Sequence, residues 1–130
     1  ADADYKLLAD FRHVLRQFLA FSEERASELG LASQQHQALL AIKGVAPATL
    51  SIGDLAQRLV IKPNSAVGLV NRLVLSGFVT RRMDDADHRK ASLVLTREGE
   101  AILAELTVAH RNEVRRISPL LDVLLRQLDD

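Results

Sequence analysis

Apolar residues recur at helical spacing through residues 4–29, at Leu7, Leu8, Phe11, Val14, Leu15, Phe18, Leu19 and Leu29, with polar groups between them. This spacing predicts one long first helix. Phe21 widens its apolar surface beyond what packing on one side of a small domain needs, so a second subunit is expected to cover the excess. Gly30 stops the helix as a C′ residue. Ser33 is expected to cap the next, whose apolar set Ala38, Leu39, Ala41 and Ile42 runs up to Gly44. Residues 45–50 read as a Pro-containing loop.

Ser51 is placed to cap a third helix over 52–59, with Leu55, Ala56 and Leu59 inward and Asp54 in the favourable first turn. After the link Val60, Ile61, Lys62, Pro63 suits the first position of a fourth helix that runs to Ser76 and stops at Gly77. Two short helices on so tight a link predict a helix-turn-helix. The pattern then changes to β-formers over 78–83 and 92–96, joined by 84–90, which is polar but for Ala86. That reads as a hairpin with a charged tip. Thr96 is expected to cap the final helical stretch, and Pro119 to start or kink a last amphipathic helix over 120–128 that packs on a partner. The predicted fold is mainly α with a small β-hairpin: a winged helix-turn-helix over 31–97 with dimerisation helices at 1–30 and 98–130, all within one domain.

Composition narrows the class. A chain of 130 residues can bury a core without staples, and zero Cys excludes disulfides, thiolate metal sites and cysteine redox sensing. Neither a long apolar run nor a basic segment followed by an apolar core is seen, so a soluble, cytoplasmic chain without a membrane partner is expected. Net charge is zero, from 17 basic and 17 acidic residues. Its distribution is uneven: residues 58–97 hold Arg58, Lys62, Arg72, Arg81, Arg82, Arg89, Lys90 and Arg97 against Asp84, Asp85 and Asp87. A basic middle between acidic ends is the footprint of a DNA reader, although a solvated helix face can carry the same excess.

Candidate chemistry follows from that placement. With Ala66, Leu69, Val70 and Leu73 inward, the fourth helix leaves Asn64, Ser65, Gly68, Asn71 and Arg72 on or near its outer face. Lys62, Asn64 and Ser65 lie at the helix start, where free N–H groups and the dipole favour a phosphate or a base acceptor. Arg72 suits a guanine edge or a phosphate. Taken singly, Asn64 and Ser65 could simply be caps and Arg72 a surface ion pair. Arg81, Asp87, His88, Arg89 and Lys90 belong to the hairpin; its acids can orient an arginine, and an oriented guanidinium suits a narrow minor groove.

An enzyme would need a constellation, and His13, His36, His88 and His110 form no zinc motif, nucleophile elbow or phosphate loop with the scattered acids. No catalysis and no cofactor are expected. The remaining alternative is a winged-helix module that binds protein, which would not need a basic wing tip.

Taken together, residues 30–35, Leu55-Ala56-Gln57-Arg58-Leu59, 64–73, Gly77-Phe78-Val79-Thr80-Arg81, Asp87-His88-Arg89 and Leu95-Thr96-Arg97-Glu98-Gly99 resemble the multiple-antibiotic-resistance regulator (MarR) family. The resemblance implies a triangular homodimer with interleaved first and last helices, reading a palindromic operator in duplex DNA. It also implies release by a small aromatic or phenolic acid, for which His13, Arg16 and His36 are the candidate polar lining. By the same resemblance Arg89 is the wing arginine and Asp87 the acid that precedes it. Three departures stand out: His88 replaces a common arginine, Gly68 a larger polar group, and the last helical segment is short. The peroxide-sensing mode of the family, which needs a cysteine, is excluded.

Overall fold

A computed structural model describes residues 2–83 and 91–129. The helices are α1 (Asp2–Glu28), α2 (Ser33–Gly44), α3 (Ile52–Leu59), α4 (Pro63–Leu75) and α5 (Arg97–Arg126), with a final 3-10 turn at Gln127–Asp129. Between α4 and α5 lie β1 (Val79–Met83) and β2 (Ala91–Leu95), paired antiparallel with Val79 opposite Leu95 and Met83 opposite Ala91. This is the winged helix-turn-helix with long flanking helices that the hydrophobic pattern predicts.

Local chemistry sets most of the boundaries. Ser51 and Asp54 form a reciprocal capping box: the Asp54 N–H donates to Ser51 Oγ and the Ser51 N–H to Asp54 Oδ2, both at 3.1 Å. Thr96 caps α5 by accepting from the Gly99 N–H at 3.0 Å, and its hydroxyl donates to the Gly77 carbonyl at 2.6 Å. Gly77 has φ 81°, a left-handed turn that a side chain resists. Gly99 is required for another reason: a Cβ there would collide with the Phe78 carbonyl oxygen, so the start of α5 can lie against the strand only without one.

Two expectations change. The cap of α2 is Ala32 rather than Ser33; Ala has no acceptor, and the Gln35 side chain instead reaches back to accept from the Ala32 N–H at 2.8 Å. Ser33 Oγ accepts from Gln37 Nε2. Pro119 neither starts nor ends a helix, because α5 runs unbroken through it. A proline ring removes one intrahelical hydrogen bond. Ile117 and Leu124, on either side of it, belong to one apolar cluster with Leu7 and Val14 of α1.

The core is divided. A larger cluster joins α2, α3, α4, the hairpin and the first half of α5 through residues such as Leu39, Leu55, Leu69, Leu73, Leu93 and Leu103. The Leu93 N–H also donates to the Leu50 carbonyl at 2.9 Å, tying the loop before α3 to the sheet. The smaller cluster is Leu7, Val14, Ile117 and Leu124, with Phe11, Phe18 and Leu121 at its margin, where α1 lies along the second half of α5.

Candidate nucleic-acid interface

The outward face of α4 is decided by its inward one. Ala66, Leu69, Val70 and Leu73 are fully buried, which leaves Lys62, Asn64, Ser65, Asn71 and Arg72 exposed and Gly68 partly so. The α3–α4 link turns sharply because Val60 adopts φ 56°, ψ 48°. A β-branched residue in that left-handed conformation is strained, and the strain is held by Ile61, whose N–H donates to the Ala56 carbonyl at 3.0 Å. The turn delivers Lys62 and Pro63 to the start of α4, where Pro63 occupies the first turn.

Gly68 has a role different from a bare backbone approach. A Cβ at Gly68 would lie 3.6 Å from Arg72 Nη1, so the Arg72 guanidinium folds back one turn along α4 toward the helix start. On the sheet only Val79 of β1 is buried, and Thr80, Arg81, Arg82 and Met83 face solvent. Arg81 Nη2 donates to Asn71 Oδ1, joining the base of the wing to the outer face of α4. The expected wing residues Asp87, His88, Arg89 and Lys90 lie outside the described residues. Lys62 at the N-cap, Asn64, Ser65, Asn71 and Arg72 of α4 and Arg81 of β1 are thus exposed, with Asn71 and Arg81 in direct contact.

The three candidate effector residues fall in different surroundings. His13 and Arg16 are exposed on α1, with His13 on a cleft of about 360 Å³ beside Val14, Leu120, Val123 and Leu124. His36 is buried, 3% exposed, and its Nδ1 has no hydrogen-bond partner among the described residues. Its ring lies 4.6 Å from that of His110. His110 Nδ1 donates to the Leu106 carbonyl at 2.8 Å, and its Nε2 is 2.8 Å from Ser22 Oγ. Phe18 and Phe21 close the cluster edge-on at 6.1 and 5.4 Å. Burial, with the neighbouring His110 second, holds His36 below its ordinary pKa of 6.5. Nothing in the sequence pairs His36 with His110, because their helices meet only through the fold. Among the described residues no group of three or more His, Cys, Asp or Glu side chains could hold a metal ion, and no helix is long and apolar enough to cross a membrane.

Comparison with known proteins agrees with this arrangement. Residues 29–90 match the model of the MarR family. Over 88 residues, 68% of this chain, the sequence is 31% identical to the HTH-type transcriptional repressor YetL of Bacillus subtilis (strain 168). The chain spans about half, 53%, of that relative's length. Among solved structures, AbsC, a MarR family transcriptional regulator from Streptomyces coelicolor, superposes with a TM-score of 0.77 at 20% identity over 89% of this chain and 78% of its own. A point mutant of S. aureus MepR bound to an oligodeoxyribonucleotide gives 0.72 at 18% identity, covering 95% and 97% of the two chains. Wild-type MarR from E. coli in its apo form gives 0.72 at 21% identity, covering 91% and 93%. With winged helix, flanking helices and family motifs in agreement, the chain belongs to the MarR family. Its named relatives are transcription regulators rather than enzymes.

Proposed function

We propose that this protein is a homodimeric transcription regulator, acting as a repressor in the cytoplasm, that binds duplex DNA sequence-specifically through α4 and the β1–β2 wing. The observation that carries the reading is the outer face of α4: Lys62, Asn64, Ser65, Asn71 and Arg72 are exposed there, and the face is joined to a cationic strand by the Arg81–Asn71 hydrogen bond. A major groove accepts one helix that presents such donors. The repressor YetL and the oligodeoxyribonucleotide-bound MepR mutant support the same assignment.

Within this reading, residues 31–97 contact DNA, and 1–30 with 98–130 join the two subunits of a single-domain protein. Lys62, Asn64 and Ser65 hold phosphates at the start of α4, Arg72 reaches a base or phosphate, and Arg89, with Asp87, His88 and Lys90 around it, enters the minor groove. The two-fold symmetry of a dimer calls for a palindromic site with half-sites about one turn, ~10 base pairs, apart. Selection from a random DNA library followed by footprinting tests this; enrichment of no sequence, or footprints without symmetry, would refute it.

Control by a small aromatic or phenolic acid is the finer part of the proposal. His36 Nδ1, without a hydrogen-bond partner among the described residues and beside a His110 ring that Phe18 and Phe21 pack against, supports a polar anchor for it, with His13 and Arg16 on α1. A ligand there would favour one spacing of the two recognition helices over another. If a panel of aromatic acids alters neither melting temperature nor DNA affinity, this part is wrong.

A further inference from the structure

Val67 stands between two of the exposed polar groups of α4. It follows Asn64 by three residues and precedes Asn71 by four, the spacing that puts side chains next to one another on a helix. Val74, seven residues on and nearly in line with it along the axis, is packed against the core, whereas Val67 is 44% exposed. A single apolar residue on an ordinary surface calls for no account. Val67 lies instead on the face that carries the proposed contacts to bases, and a branched side chain favours the helix less than alanine would.

We propose that Val67 is a specificity-determining residue that reads the C5-methyl group of a thymine, one in each half-site. The inference rests on the DNA-reading assignment above and deepens it. Base edges in the major groove present donors and acceptors, and the thymine methyl is the apolar group among them. Valine is short and reaches that methyl only where the backbone comes close to the bases. Gly68 permits the approach: among the described residues a Cβ there would meet just Arg72 Nη1, at 3.6 Å, so the position carries nothing to hold the helix away. Val67 is the fifth residue of α4, in the half with which a recognition helix meets base edges, whereas the exposed Leu75 ends the helix.

Random-library selection with the full chain gives the site, and titration of labelled duplexes then tests each thymine in it. Replacing a thymine by deoxyuridine deletes the methyl and leaves every hydrogen-bonding atom of the base in place. At one thymine of each half-site this exchange should weaken wild type roughly fourfold, the worth of one buried methyl group. At the same position 5-methylcytosine should bind roughly fourfold better than cytosine, because it restores the methyl on a different base. In Val67→Ala, checked for folding by thermal melting, both differences should fall below about twofold.

Wild type indifferent to the methyl at every thymine of the selected site would overturn the proposal, as would a site whose half-sites share no thymine. Full methyl dependence in Val67→Ala would overturn it as well, since another side chain then reads the methyl. Should Val67→Ala fail to fold, Val67→Ser takes its place with the same two readings. A wild-type protein that enriches no sequence refutes the DNA-reading assignment itself, an outcome distinct from an enriched site that ignores the methyl.

Discussion

The helix-turn-helix body and the arm formed by α1 with the second half of α5 are built from similar residues and finished to different degrees. In the body Leu39, Leu55, Leu69, Leu73 and Leu93 are sealed from solvent. Along the arm the apolar cluster has just Leu7, Val14, Ile117 and Leu124 as its buried members among the described residues, while Leu8, Leu19, Val123 and Leu128 each remain more than half exposed. Two helices side by side can bury one stripe each, and both α1 and α5 carry apolar groups over more than one stripe. The body seals its core within one chain. In the proposed dimer a second copy of the same helices covers the apolar surface that the arm leaves exposed.

Substitution of Leu73 by Ala should therefore have the largest effect, about 2–5 kcal/mol of stability, because a sealed site leaves a cavity. Denaturant unfolding measures it; a loss below about 1 kcal/mol would mean the body is no better closed than the arm. At the junction of the two regions, Gly99→Ala should cost about 1–3 kcal/mol, since the new methyl collides with the Phe78 carbonyl and must push α5 off the strand. An unchanged melting temperature for this variant would contradict the close approach.

In the arm, Leu128→Glu should alter monomer stability by less than about 0.5 kcal/mol yet weaken self-association at least about tenfold, because an exposed side chain is lost from no core but adds a charge to the joint. Sedimentation across a concentration series separates the two, and unchanged association would remove Leu128 from the interface. The smallest effect concerns pH. His36 is held below 6.5 when folded, so the unfolded chain takes up the proton first. Stability contributed by neutral His36 is present above pH 6.5 and is lost as pH falls from there toward the lowered folded value. A His36→Gln variant should lack that part of the slope; identical pH profiles would show that His36 is not responsible for it.

How much of this was visible in the chain depends on the range of the force involved. Element types and most ends follow from neighbours within a turn: the Ser51–Asp54 box, Pro63 at the head of α4, the left-handed Gly77, the Thr96 cap over Gly99. The period-3.6 stripe of Ala66, Leu69, Val70 and Leu73 likewise identifies the outer face of α4 from the chain alone, because burying four apolar groups leaves the helix only one orientation. The candidate interface was legible for the same reason.

What tertiary structure alone decided are contacts between residues far apart in sequence. α5 runs through Pro119 with Ile117 and Leu124 clustered against Leu7 and Val14 of α1, a contact that no local propensity contains. The His36–His110 pair forms because α2 and α5 cross beside Ser22, and burial there perturbs His36. Gly99 reads as a weak helix residue until Phe78 is brought above it. Asn71 and Arg81 were each recognisable as polar groups for DNA, but only the meeting of α4 with β1 shows that they bond to each other. Sequence periodicity specifies which face of an element seeks burial; only the assembled fold specifies which polar atoms then find one another.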